Sequence, residues 1–221
     1  MTKDRLRKSL DKRGFPLVNR GVMAQKLRGL PAYRCATQLF VAPGPGLEQI
    51  RINALLDGKS LLMPAPSLHQ GFYLFSPQTI PPSRLSLAVS NKGMSRYGRK
   101  LATAELGKLR LNLLISEALA MDCRGFMLDD GNGFFDLSAA ILADCGALSD
   151  DCLVLGAARS LAPEELLPND PWDLPADYRL EPGGITPVLR LTSPRTPPRI
   201  LWEHLPEVRV RRITPLWQLQ L

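Results

Sequence analysis

The chain is poor in the residues that usually announce catalysis or metal binding. Its 221 residues include two histidines, His69 and His204, and four scattered cysteines, Cys35, Cys123, Cys145 and Cys152. No CxxC pair occurs, and this spacing argues against a zinc cluster and against a disulfide framework. The histidines lie far in sequence from each other and from any acid–cysteine cluster. No base–nucleophile constellation is visible, so no catalytic residue is assigned. No apolar run approaches the ~18–20 residues that a bilayer span needs. The opening MTKDRLRKSLDKRGF is charged and lacks the apolar core of a secretory signal, so no membrane partner and a cytoplasmic location are the default expectations. Aromatics make up 6% of the chain. There is no RNP-type signature, zinc finger or continuous basic helix, so nucleic-acid recognition is a minority reading motivated by charge alone.

What is present fits a globular protein: 45% apolar residues, 22% charged, and length enough for one sizeable domain. The net charge is +7, with basic residues concentrated at 3–34, 84–110 and 190–212. Such a balance suits anionic partners, among them nucleotides, polyglutamylated cofactors and nucleic acid, without choosing between them.

Along the chain, residues 3–13 space Leu6 and Leu10 four apart among charges, predicting an exposed amphipathic helix ended by Gly14 and Pro16. A second helix is predicted over 20–30. TQLFVAP (37–43) reads as a buried strand, LEQIRINALLDGK (47–59) as a helix with Gly58 as its C-cap, and SLLMPAP (60–66) as another strand. That strand–helix–strand unit implies parallel pairing. GFYLFSP (71–77) and RLSLAVS (84–90) also have strand character. Gly93 to Lys100 reads as a basic loop, and 106–122 fits either a helix or a strand followed by a short helix. CLVLGAA (152–158) reads as a buried strand, APEELLP as a helix, and 178–182 as a short strand. Together these predict a single α/β domain with a mostly parallel sheet flanked by helices. The expected divisions are an N-terminal helical segment at 1–30, a core at 31–190 and a Pro/Arg-rich tail at 191–221 packed on the core.

The most informative stretch is CRGFMLDDGNGFFDLSAAILADC, residues 123–145. An apolar run, a turn at 129–133 and a helical pattern follow one another. This order presents backbone N–H groups to an anion at a helix N-terminus. Asp136 suits either capping of the first helical turn or holding a magnesium ion. The GxG of Gly131-Asn132-Gly133 lacks the third glycine of a dinucleotide fingerprint and the lysine of a Walker A loop.

Several segments, in order, resemble the 5-formyltetrahydrofolate cyclo-ligase (methenyltetrahydrofolate synthetase) family, especially its cyclo-ligase-like branch. Lys3-Asp4-Arg5-Leu6-Arg7 resembles the K-x-x-L-R opening, and residues 41–68 resemble the branch pattern of an arginine, an AL pair, GK and a strand ending in MP. LDDGNGFFDLSAAIL (128–142) sits at the family's G-x-G-x-G-Y-x-D loop, PWDLPADYRLEP (171–182) resembles the HD-x-P-x-D segment, and PPRILWEHL (197–205) resembles a branch-specific tail. The resemblance implies a NagB/RpiA/CoA-transferase-like fold and an ATP- and magnesium-dependent conversion of 5-formyltetrahydrofolate to 5,10-methenyltetrahydrofolate. A catalytically degenerate relative with a binding or regulatory role is the alternative. The implied ligands are a reduced folate, ATP and Mg2+. Lys3, Arg7, Gly131, Asn132, Gly133 and Phe134 carry over as the ATP and phosphate side, and Asp136 as the metal ligand. The chain departs from the pattern at Met127 or Leu128, where a basic residue is expected, at Asp129 and Asp130 in the loop, and at Trp172 in place of a histidine. The two acids repel a triphosphate unless a magnesium ion bridges them.

Overall fold

The computed structural model describes residues 2–10, 17–161, 166–188 and 196–220. Its helices are α1 (Lys3–Ser9), α2 (Leu17–Leu27), α3 (Pro31–Cys35), α4 (Glu48–Leu56), α5 (Leu85–Ala88), α6 (Met94–Tyr97), α7 (Thr103–Leu106), α8 (Phe134–Asp144), α9 (Glu207–Arg212) and α10 (Thr214–Gln220). Its strands are β1 (Gln38–Val41), β2 (Ser60–Pro64), β3 (Phe72–Phe75), β4 (Arg99–Lys100), β5 (Leu111–Met121), β6 (Met127–Leu128), β7 (Leu148–Leu161), β8 (Tyr178–Glu181) and β9 (Gly184–Pro187).

These strands form a single sheet in the order β4-β3-β2-β1-β5-β7-β8-β9, with β6 beside the end of β5. The central five, β2, β1, β5, β7 and β8, run parallel. β3, β4, β6 and β9 are antiparallel additions. The chain is therefore an α/β domain with a mostly parallel sheet, as the alternating pattern implied. β1 and β2 pair in parallel around α4, and Gly58 takes a positive φ of 75° after that helix. In β5, nine of eleven residues are buried. A strand covered on both faces reads as an almost unbroken apolar run, which is why helix and strand were hard to separate there.

Three segments depart from the sequence reading. RLSLAVS contributes the short helix α5 rather than a strand, because it is Leu85, Ala88 and Val89, on one helical face, that are buried, while Leu87 is exposed. The basic stretch 93–100 holds α6 and β4. Residues 106–122 resolve into the end of α7 and the strand β5. The predicted helix at APEELLP begins on 162–165, which lie outside the described residues. No helix among the described residues is long and apolar enough to cross a membrane.

The core lies on both faces of the sheet, with Leu39, Leu61, Leu113, Leu114, Ile115, Val154 and Leu155 fully buried along the central strands. Two cations are buried with them. Lys59 donates to the carbonyls of Ala36 (2.7 Å) and Arg34 (3.2 Å), beneath the Tyr33 ring. Arg51 donates to those of Ala42 (2.7 Å) and Gly44 (2.9 Å), fixing the turn after β1. Burial holds the Arg51 guanidinium down at about 10, against the pull of Glu48 and Glu117. From the C-terminal segment, Ile200, Val210, Ile213 and Leu216 enter the core.

α8 is the element that aims the loop before it. It buries Phe135, Leu137, Ala139, Ala140, Ile141 and Leu142. Replacing Ile141 with alanine opens a cavity under this helix, and we expect a loss of about 3 kcal/mol. A urea melt should show a lower midpoint at unchanged slope.

Candidate functional site

The loop 129–133 stands at the carboxyl side of the parallel strands, beyond β5 and β6, where open α/β sheets place their ligands. It lines a cavity of about 1540 Å³, more than the ~300–1,000 Å³ of a typical small-molecule pocket. Four remote pieces of chain build its walls: α1, the stretch from Arg124 to Asp144, and the segments 168–175 and 196–209. Lys3, Arg7, Gly131, Asn132, Gly133 and Asp136 all reach it. Phe134 does not. It faces a second space of about 470 Å³, shared with His69, Arg209 and Arg212.

The loop already holds an anion, and the anion is its own. Asp129 Oδ1 accepts from the Gly131 N–H (3.0 Å) and from Arg7 Nη2 (3.0 Å), while Oδ2 accepts from the Gly133 N–H (3.1 Å). Asp130 takes the remaining amide, Asn132 N–H (3.0 Å), and the Asn132 side chain as well (2.9 Å). Gly131 and Gly133 carry φ of +96° and +60°, a left-handed region in which a side chain is strained, and their two amides meet at the Asp129 carboxylate. At Gly131 an added Cβ would also press on the Arg7 guanidinium at 3.2 Å. Arg7 Nε is tied to the Asp129 carbonyl (3.0 Å) and Nη1 to Asp4 (2.8 Å).

The two acids are therefore spent on the loop's own donors, not held out as a pair for a bridging metal. The carboxylate of Asp129 fills the place that an external anion would take at these donors. Its contacts show that the donors suit a carboxylate, and they make Asp129 a tethered competitor for any external anion at the same place.

Lys3 is bound just as firmly, to Asp170 (2.6 Å) and to Asp173. Burial opposes its charge, but the two carboxylates outweigh burial and raise its pKa. Asp136, half-buried at the cavity wall, reaches out of the first turn of α8 to accept from the Leu174 N–H (2.8 Å). Burial pushes its carboxyl up to about 7, the carboxylates of Asp129 and Asp173 push the same way, and the Leu174 amide opposes. A divalent cation beside Asp136 would offset the burial that opposes its charge. No cluster of three His, Cys, Asp or Glu able to hold a metal occurs among the described residues. A magnesium ion here would rest on Asp136 and on its ligand's own oxygens, an arrangement usual for that ion.

Sequence reasoning missed the contribution of the C-terminal segment. Arg209 donates to the Asn132 carbonyl (2.5 Å) and lies over the Phe134 ring. His204 packs against Trp172, ring centroids 5.1 Å apart. The basic tail gave a charge signal but no way to place it. Five cations (Lys3, Arg7, Arg124, Arg199 and Arg209) face six acids (Asp4, Asp129, Asp136, Asp144, Asp170 and Asp173) across the cavity. The chain's excess of positive charge is thus not concentrated where the ligand would sit.

The sequence matches the profile of the 5-formyltetrahydrofolate cyclo-ligase family over residues 2–181. The methenyltetrahydrofolate synthase domain-containing protein of Homo sapiens is 26% identical over 169 residues, 73% of this chain and 43% of that protein. Its Bos taurus counterpart is 28% identical over 175 residues, with the same two coverages. This chain thus spans less than half the length of those relatives. Among solved structures, a 5,10-methenyltetrahydrofolate synthetase from Mycoplasma pneumoniae superposes with a TM-score of 0.50, covering 82% of this chain and 99% of that one. At 12% identity the likeness concerns the fold.

Two predictions follow from the geometry. Asp129→Gly frees two amides and Arg7 Nη2, so ATP or pyrophosphate should bind about tenfold more tightly by calorimetry. Unchanged affinity would show that the loop takes no external anion. The second concerns pH. Asp136 is protonated in the folded state to higher pH than the ordinary carboxyl near 4 of the unfolded chain. Between about pH 4 and 7 the folded state therefore binds more protons, and stability falls as pH rises through that window. Asp136→Asn should remove the penalty, raising stability by about 2 kcal/mol at pH 8 with the gain vanishing near pH 4. Thermal melts across that range check it.

Proposed function

The chain belongs to the 5-formyltetrahydrofolate cyclo-ligase family, and on that premise we propose that its cavity is the site of a cyclo-ligase-like reaction. The proposed activity is the ATP- and magnesium-dependent conversion of 5-formyltetrahydrofolate to 5,10-methenyltetrahydrofolate. The observation that carries this reading is the convergence of Lys3, Arg7, residues 131–133 and Asp136 on one cavity with an anion-holding loop. When bound, ATP supplies the phosphoryl group that turns the formyl oxygen into a leaving group.

The chain's own residues have four tasks. Gly131 and Gly133 amides, with the Arg7 fork, exchange Asp129 for phosphate oxygens. Lys3 contributes a point charge from its seat between Asp170 and Asp173. Asp136 ionises fully once a magnesium ion is beside it. Phe126, Leu137, Trp172 and Leu201 give the cavity an apolar wall that orients a planar ligand and sheds water.

A second reading is a catalytically degenerate relative that binds a ligand without turning it over. The Asp129 carboxylate in the loop favours it, because a tethered anion competes at high effective concentration and repels a triphosphate. The test is to supply the full chain with 5-formyltetrahydrofolate, ATP and Mg2+ and follow the absorbance of methenyltetrahydrofolate. Turnover that is faster in Asp129→Gly establishes the enzyme. Saturable folate binding with no product from either protein establishes the degenerate relative.

A further inference from the structure

The cavity's cations are not equivalent. Lys3 is held by Asp170 and Asp173, Arg7 by Asp4 and Asp129, and Arg124 by Asp122. Among the described residues that line the cavity, Arg199 and Arg209 are the cations without a carboxylate partner. Both come from the segment after residue 181, outside the stretch that matches the family profile.

Of these two, Arg209 has the more defined geometry. Its Nη2 is fixed on the Asn132 carbonyl at 2.5 Å, and its guanidinium carbon sits 5.4 Å from the centroid of the Phe134 ring. Val210, next to it on α9, is buried and anchors the helix. One nitrogen and one face of the fork are thus committed, while among the described residues Nε and Nη1 have no hydrogen-bond partner. A guanidinium held in this way is set for a planar anion before the ligand arrives, and little rotamer freedom is left to lose. The loop beneath it cannot compete for that anion while Asp129 and Asp130 occupy its amides. The charge that an incoming ligand meets at residue 132 is therefore that of Arg209.

We propose that Arg209 is an anion-binding residue of this cavity, reaching over from the C-terminal helix to take a phosphate or carboxylate group of the ligand at the 129–133 loop. The assignment deepens the function proposed above and does not need turnover to hold. It also separates a binding role from a clamping one. If Arg209 served only to pin the loop, a neutral donor in its place would do as well.

Arg209→Gln keeps a donor for the Asn132 carbonyl and removes the charge. Calorimetry on the full chain and on this variant would use two probes, inorganic tripolyphosphate and 5-formyltetrahydrofolate, the latter carrying carboxylates but no phosphate. Thermal melts would run alongside. We expect about tenfold weaker binding of at least one probe at low salt, a gap that narrows as salt screens the charge, and a melting temperature close to that of the parent. A loss confined to tripolyphosphate identifies the anion as phosphate, and a loss confined to the folate identifies it as carboxylate. Equal affinities in parent and variant for both probes would overturn the assignment and leave the proposed function standing. A parent chain that binds neither probe would overturn it too. Weakened tripolyphosphate binding without any methenyltetrahydrofolate production would support Arg209 while removing the enzyme reading.

Discussion

One carboxylate ties together three parts of this molecule. Asp129 accepts from the amides of Gly131 and Gly133, which fixes the turn and the start of α8, and from Arg7, which docks α1 on the loop. In a site evolved to bind phosphate those donors would be left for the ligand. Here they are satisfied in advance, and a loop with two positive-φ glycines is ordered without help. Order of this kind stabilises the fold and weakens the ligand's claim on the same groups. The two effects have a single cause, so they change together when the side chain is changed.

The rest of the cavity repeats this arrangement. Lys3 lies between two aspartates, Arg124 is forked onto Asp122, and Asp136 is linked to Leu174. Its charges are mutually satisfied, and the cations outside this network enter from the C-terminal segment. The core supplies the positions of the walls, while the segment after the family's matched stretch supplies the groups still free to meet a ligand.

Local pattern carried the architecture well because the elements that define it are long or strongly patterned. β1 and β2 could be read from short apolar runs beside turn residues, α4 from its helical spacing and Gly58, and β7 from its apolar run. β5 stayed ambiguous because a strand buried on both faces has no alternation to show. α5 reads as a strand because Leu85, Leu87 and Val89 alternate, whereas the residues that packing buries are Leu85, Ala88 and Val89. For the site, glycine spacing and resemblance pointed to the loop residues, and Asp129 and Asp130 were recognised as misplaced charges. Their partners were not legible. Whether an acid repels a ligand or satisfies an amide two residues on depends on side-chain direction, which spacing does not encode. Trp172 with His204, and Asn132 with Arg209, are separated by 32 and 77 residues, and nothing local links them.

The bonds from Lys3 to Asp170 and Asp173 bear on how the molecule is made as well as on how it is held. They join positions 167 and 170 residues apart, the first helix to a segment near the far end. At ~5–20 residues per second, a ribosome takes on the order of 10–30 seconds to synthesise the intervening chain. For that time Lys3 lacks both of its aspartates and α1 is tied to the rest of the chain through Arg7 and Asp129, while β1, β2 and β5 can already pair. The cavity is thus a late product of folding, and chaperones or proteases would meet a sheet with its ligand face still open.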